Sequence, residues 1–243
     1  MSDASIFDVV DATWPAARTI KDGPWILREG KGGGKRVSAA STEIDVEDAD
    51  IDQAEQAMAR LGQDALFMLR NGQQGLDRLL ETRGYRVLDP VTAYACPVVQ
   101  LTDIALPRVT VFEIWEPLAI MLEIWAKGGI GPARVDVMRR ATGPKTSLLG
   151  RWNEHPAAAA FVAMHGDTAM VHAIEVLEHQ RRHGMGAWIM RGAAFWAARQ
   201  GAKTLSVVCT DENTGANRLY TSLGMAVVGH YHYRYLPDEK DKS

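Results

Sequence analysis

Only two cysteines, Cys96 and Cys209, occur among the 243 residues, and both lie in apolar runs. A disulfide scaffold or a zinc site needs more ligands, so both are expected to be buried thiols in a reducing compartment, and no metal is expected. No apolar stretch reaches the ~18 residues that suggest a membrane span. The first residues lack a basic segment followed by an apolar one, so the expectation is a cytoplasmic chain without a secretory leader. Charge of one sign is missing too: 27 Lys and Arg stand against 30 Asp and Glu. With a net charge of −3 and no basic stripe, neither nucleic acid nor an anionic membrane is an expected partner. What remains is an ordinary globular composition, 47% apolar and 23% charged, in a length that suits one large domain or two small ones.

Hydrophobic periodicity is clearest in the C-terminal half. Strands are expected at residues 108–115, 146–152, 157–164, 169–176, 205–209 and 226–235. Helices are expected at 116–127, 133–141, 186–200 and 213–223, several of them closed by glycine. In the N-terminal half the pattern predicts strands at 25–29 and 36–40 around the turn GKGGG, a helix at 49–61, a strand at 65–69, a helix at 75–83 and an extended segment at 85–99. The segments LDRLLETRGYRVL (76–88) and NRLYTSLGMAVV (217–228) both read as helix, glycine turn, strand. This is the signature of a degenerate internal repeat. The division is therefore a domain at 1–105, a second at 106–236 and a solvated tail at 237–243.

Two motifs carry chemistry. In VLEHQRRHGMGA (176–187) a strand runs through a basic, glycine-containing turn into a long helix. Helix N-termini offer unpaired N–H groups and partial positive charge, which suits an anion. Gly184 and Gly186 would admit close approach, and Arg181 and Arg182 would add donors. In DENTGANRLYTSLGM (211–225) the spacing N-x-x-A-x-x-x-Y-x-x-x-G falls on Asn213, Ala216, Tyr220 and Gly224. By contrast GKGGGK lacks phosphate-loop spacing and a following helix, and reads as a hairpin turn.

In this order the two motifs resemble those of the GNAT acyltransferase superfamily, whose (R/Q)-x-x-G-x-(G/A) signature matches Arg181, Gly184 and Gly186. Glu178 stands where many members have proline. The resemblance covers the C-terminal half. The segment WILREGKGGGKRVSAAS is also similar to the N-terminal domain of some tandem members. The implied fold is α/β (α+β): a mixed, mostly antiparallel twisted sheet flanked by helices, with a smaller degenerate N-terminal domain. The junction at 39–50 has no glycine loop and five acidic residues, Glu43, Asp45, Glu47, Asp48 and Asp50, which would repel a diphosphate. A single acyl-CoA site is therefore expected.

The resemblance implies acetyl-CoA, or another acyl-CoA, as cosubstrate and a small-molecule or peptide amine as acceptor. Its cofactor contacts fall on Val176, Arg181, Arg182, His183, Gly184, Met185, Gly186, Ala187, Asn213 and Tyr220. Val176 N–H would polarise the thioester carbonyl on a splayed strand, and Tyr220 would be the general acid. His172 is the first candidate base: an imidazole titrates near pH about 6.5, and it precedes Arg181 at a distance similar to that in arylalkylamine N-acetyltransferases. Glu175 is the second. Strand alternation separates the two onto opposite faces unless a bulge intervenes. The N-terminal half would cover one side of the acceptor cleft or form a homodimer contact. A catalytically silent CoA-binding regulatory protein is the alternative reading.

Overall fold

The computed structural model describes residues 5–44 and 46–237. Most of the expected tail, residues 238–243, lies outside them. In chain order the elements are α1 (Ile6–Thr13), β1 (Arg18–Asp22), β2 (Trp25–Glu29), β3 (Ser41–Thr42), α2 (Asp48–Arg60), β4 (Leu66–Arg70), α3 (Gln74–Thr82), β5 (Arg86–Pro97), β6 (Val111–Ile114), α4 (Ala119–Lys127), α5 (Pro132–Arg140), β7 (Lys145–Trp152), β8 (His155–His165), β9 (Thr168–Val176), α6 (Met185–Arg199), β10 (Thr204–Thr210), α7 (Thr214–Ser222) and β11 (Ala226–Tyr235). The expected strand at 36–40 is instead a short 3₁₀ turn at Lys35–Val37, with pairing beginning at Ala40. The helix α1 and the strand β1 had no counterpart in the periodicity reading.

Contacts divide the chain into two compact units, and the division differs from a linear boundary at residue 105. One unit takes residues up to 15, 93–209 and 213–228; the other takes 16–92, 210–212 and 229 onward.

The first unit is a mostly antiparallel sheet flanked by helices. Its strand order is β5-β10-β9-β8-β7-β6, with β6–β7, β7–β8 and β8–β9 antiparallel and β9–β10 parallel. The central strand β8 explains the layering. Ala157 through Ala160 are fully buried, and these small side chains let helices approach both faces closely. Ala158, Ala160 and Val162 face a core with Ile189, Met190 and Ala193 of α6. Gly192 of α6 lies so close to β6 that a Cβ there would meet Val111 Cγ1 at 2.6 Å. On the other face lie α1 and α4. Ser5 and Asp8 cap α1: Phe7 N–H donates to Ser5 Oγ at 3.3 Å, and Ser5 N–H to Asp8 Oδ2 at 2.9 Å.

The second unit contains β1-β2-β3, with β1–β2 and β2–β3 antiparallel, around a core of Trp25, Leu27, Ile51, Met58, Phe67 and Leu80. Ala40 bridges Phe67 in parallel. The C-terminal part of β11 pairs antiparallel with β4, from Tyr231↔Arg70 to Tyr235↔Leu66. Its element order, β-β-β-α-β-α-β, is also that of β7 to β11. The ends of α3 and α7 match in detail. Gly84 and Gly224 take φ of +87° and +72°. After them, Tyr85 N–H returns to Leu80 O at 3.0 Å, and Met225 N–H to Tyr220 O at 3.1 Å.

Arg234, buried in β11, donates Nε to Asp77 Oδ1 at 2.7 Å, and His232 Nε2 lies 2.8 Å from the same oxygen. Burial alone would raise the Asp77 carboxyl, but the hydrogen bonds from Arg234 and His232 outweigh it and hold the group below the usual aspartate range. Its stabilisation is therefore complete above the unfolded pKa and is lost as pH falls through the lower folded value. Asp77→Asn is expected to lower the urea midpoint near neutral pH, the gap to the parent protein closing on acidification below the aspartate range. An equal gap at both pH values would show that the carboxylate charge contributes nothing.

Candidate active site

The site begins with a parting of strands. The parallel pairing of β9 and β10 runs from Thr168↔Thr204 to Val171↔Val207, yet β9 continues to Val176 and β10 to Thr210. The cause is visible in the register of β9 against β8. Phe161 pairs with His172 and Ala159 with Glu175, so Ala173 and Ile174 both stand opposite Ala160. Ala173 takes φ of +51°. Such a bulge bends its strand and raises local twist. It also changes the phase: partners of Ala159 and Phe161 share a face, so Glu175 and His172 lie on the same face of the sheet.

Beyond the bulge, Leu177 N–H donates to Ala157 O of β8 at 2.9 Å. Successive N–H groups of a strand point to opposite edges, so Val176 N–H is directed away from β8, toward the opening. The chain then makes a 3₁₀ turn at Glu178–Gln180 and enters α6 through Gly184, which takes φ of +77°. Trp188 N–H to Gly184 O, at 3.1 Å, is the first bond of the helix, and no side chain caps it. The N–H groups of Met185, Gly186 and Ala187 thus form an uncapped first turn. Arg182 and His183 are exposed beside it, and the His183 ring stacks on Trp152 with centroids 5.2 Å apart. Gly186 has a packing reason as well: a Cβ there would lie 2.8 Å from Leu219 Cδ2 of α7. Arg181 turns back instead, with Nε donating to Val176 O at 3.0 Å and a terminal nitrogen 3.3 Å from Glu175 Oε1.

Asn213 caps α7, accepting from Ala216 N–H at 3.1 Å. Tyr220, on that helix, is buried, its ring 5.5 Å from that of Tyr94. Burial, with Cys209 and Tyr94 nearby, pushes its phenol well above the ordinary tyrosine value, so the hydroxyl keeps its proton at neutral pH.

His172 is placed differently from a cleft base. It is 3% exposed beneath α1, with its Nε2 2.8 Å from Thr13 Oγ1 and its ring 5.0 Å from that of Trp14. The Thr13 hydroxyl donates to Val9 O at 2.6 Å, so it accepts from His172, which carries its proton on Nε2. Glu175 is more open, its side chain 19% exposed. The signal for α1 was in the sequence as Ser5 followed three residues later by Asp8, but nothing there says that the helix covers β9. His230 and His232 belong to the second unit, bonded to Thr92 and Asp77. Among the described residues no cluster of three or more His, Cys, Asp or Glu could hold a metal, and no helix is long and apolar enough to cross a membrane.

Residues 116–225 match the acetyltransferase (GNAT) family. The chain is similar over 92% of its length to the uncharacterized N-acetyltransferase YobR of Bacillus subtilis, at 27% identity and covering 94% of that protein. Among solved structures, a GCN5-related N-acetyltransferase from Kribbella flavida superposes with a TM-score of 0.70 at 19% identity, over 96% of this chain and 94% of the other. A tandem GNAT protein from the clavulanic acid biosynthesis pathway gives a TM-score of 0.59 at 12% identity, over 81% and 74%.

The burial of His172 yields a test of stability. Thr13→Val keeps the shape but strands a buried N–H, at a cost of about 1–3 kcal/mol. Urea denaturation measures it; an unchanged midpoint would mean that His172 finds another partner.

Proposed function

We propose that this chain, whose residues 116–225 match the acetyltransferase (GNAT) family, transfers an acyl group, foremost acetyl, from acyl-CoA to a primary amine, with Glu175 rather than His172 as the base. The observation that carries this reading is the opening between β9 and β10. Val176 N–H, the Glu175 carboxylate and the uncapped turn of α6 all stand along one short stretch of chain, residues 175–187.

The donor set fits an acyl-CoA. Backbone N–H groups of Met185, Gly186 and Ala187, with the charge of Arg182, suit a diphosphate. The separated strand edge offers hydrogen bonds to an extended amide-bearing arm, as a partner strand would. Bound there, the cosubstrate supplies an acyl group already activated as a thioester. Glu175 accepts the proton that an ammonium must lose before it can attack. Val176 N–H donates toward the carbonyl oxygen on which negative charge develops. Tyr220, whose hydroxyl is protonated at neutral pH, returns a proton to the departing thiolate.

The second unit supports a single site. The first turn of α2 carries Asp48 and Asp50, and the Asp50 carboxylate already accepts from Glu47 N–H at 2.8 Å. Gln73 ties β3 to β4, accepting from Arg70 N–H at 2.7 Å and donating to Thr42 O at 2.7 Å. The strands that could part there are stitched together by a side chain. The acceptor is a small-molecule or peptide amine, drawn in its cationic form toward the Glu175 carboxylate.

Calorimetry with acetyl-CoA is expected to give one site per chain, and thiol release to follow addition of an amine. Saturable binding without turnover over a broad amine panel would point instead to a CoA sensor. Glu175→Gln should reduce kcat by about 100-fold, the lower end of the range for a general base, with acetyl-CoA affinity kept. Wild-type kcat in that variant would remove Glu175 as base.

A further inference from the structure

We propose that Trp125 and Gly128, at the end of α4, are positioning residues that fix the β9 bulge and thereby aim Glu175. The inference rests on the reading of Glu175 as base.

A bulge is a loose element by nature. It frees a carbonyl from the ladder, and here it also places Ala173, a residue with a Cβ, at φ of +51°. Something outside the strand has to hold it. Trp125 is fully buried, and its indole Nε1–H donates to Ala173 O at 2.8 Å. The carbonyl that the bulge releases is thereby paired, and the rigid ring sets where it lies.

Gly128 acts on the other end of the bulge. A Cβ there would lie 2.2 Å from Glu175 Oε2 and 2.5 Å from Glu175 Cδ, so the carboxylate rests against the bare Cα of this residue. The backbone does not require glycine at this point: Gly128 has φ of −86° and ψ of 10°, open to any residue. The left-handed turn that ends α4 is taken by Gly129, at φ of +75°. What excludes a side chain from position 128 is the space that Glu175 occupies. One helix end thus grips the bulge by the Ala173 carbonyl and seats the carboxylate of Glu175, two residues further along. Arg181, 3.3 Å from Glu175 Oε1, bounds it on the remaining side.

Steady-state kinetics on four substitutions, alone and in combination, tests this. Trp125→Phe leaves a smaller aromatic ring and removes the donor; Gly128→Ala, at an exposed position, puts a methyl group into the seat. Each is expected to lower kcat by about tenfold, a misplacement effect. The amine KM should change little, and acetyl-CoA affinity in calorimetry should stay as it was. Ala173→Gly removes the Cβ that makes the bulge costly, so added to Trp125→Phe it should restore most of the lost kcat. Combined with Glu175→Gln, neither Trp125→Phe nor Gly128→Ala should lower kcat further, since both act through the carboxylate. In the ¹⁵N spectrum the Trp125 indole proton should exchange slowly with solvent, in Gly128→Ala as in the parent. Wild-type kcat in Trp125→Phe and Gly128→Ala would overturn the proposal. So would a loss that persists in the Glu175→Gln background, or a rapidly exchanging indole proton. A Glu175→Gln variant with undiminished kcat would strike the assignment of the base itself, a separate result. If Trp125→Phe does not fold, Gly128→Ala alone carries the comparison.

Discussion

The candidate site depends on the register shift where Ala173 and Ile174 stand opposite Ala160. One extra residue in β9 does three things at once. It bends the strand away from β10, it turns Glu175 onto the face shared with His172, and it directs Val176 N–H out of the ladder. A regular strand would satisfy its hydrogen bonds with neighbours and leave nothing for a ligand. Local disorder of pairing in a sheet is a cost, and it persists only where surrounding contacts determine it. The contacts that do so come from the face lined by α1 and α4, while α6 packs on the other face and presents its first turn to the same opening.

The two units share an order of elements, and a few side chains distinguish the candidate site from the corresponding place in the other unit. At α6 the first turn is uncapped and entered through a left-handed glycine. At α2 carboxylates crowd the corresponding place, and Asp50 has taken one of the free N–H groups. Between β3 and β4 a single amide, that of Gln73, bonds both strands. These differences are matters of charge and hydrogen bonding. The cores need not change, and the glycine turns after α3 and α7 remain alike.

Much of this was legible in the sequence. The strong periodicities of α6, α7, β8 and β9 placed those elements within a residue or two, because an apolar stripe and a glycine stop are local signals. The loop at 176–187 announced itself through Gly184 and its arginines. What could not be read was tertiary. His172 looked like a base because its residue type and spacing were right; only the fold shows Thr13 and Trp14 covering it. The exception allowed for a bulge proved to be the case, since neither Ala173 nor its neighbours carry a mark such as glycine. β1 and the displaced β3 escaped notice because three of the five residues of RTIKD are charged and the pairing at Ser41–Thr42 is very short. The contact units interleave along the chain, which no local composition shift could have announced.

That interleaving bears on the order in which the protein is made. β4 has β11 as its antiparallel partner, and residues 229–235 belong to the same compact unit as residues 16–92. The unit that takes most of the first hundred residues is therefore finished last. Until the final strand is synthesised, β4 has no partner along the edge that β11 will take, and an open edge is an invitation to wrong pairing. The other unit draws residues 93–97 of β5 from the first half of the chain, so they are already waiting when β10 emerges. During translation the unit with the candidate site can close first, and the other unit stays incomplete until β11 is made.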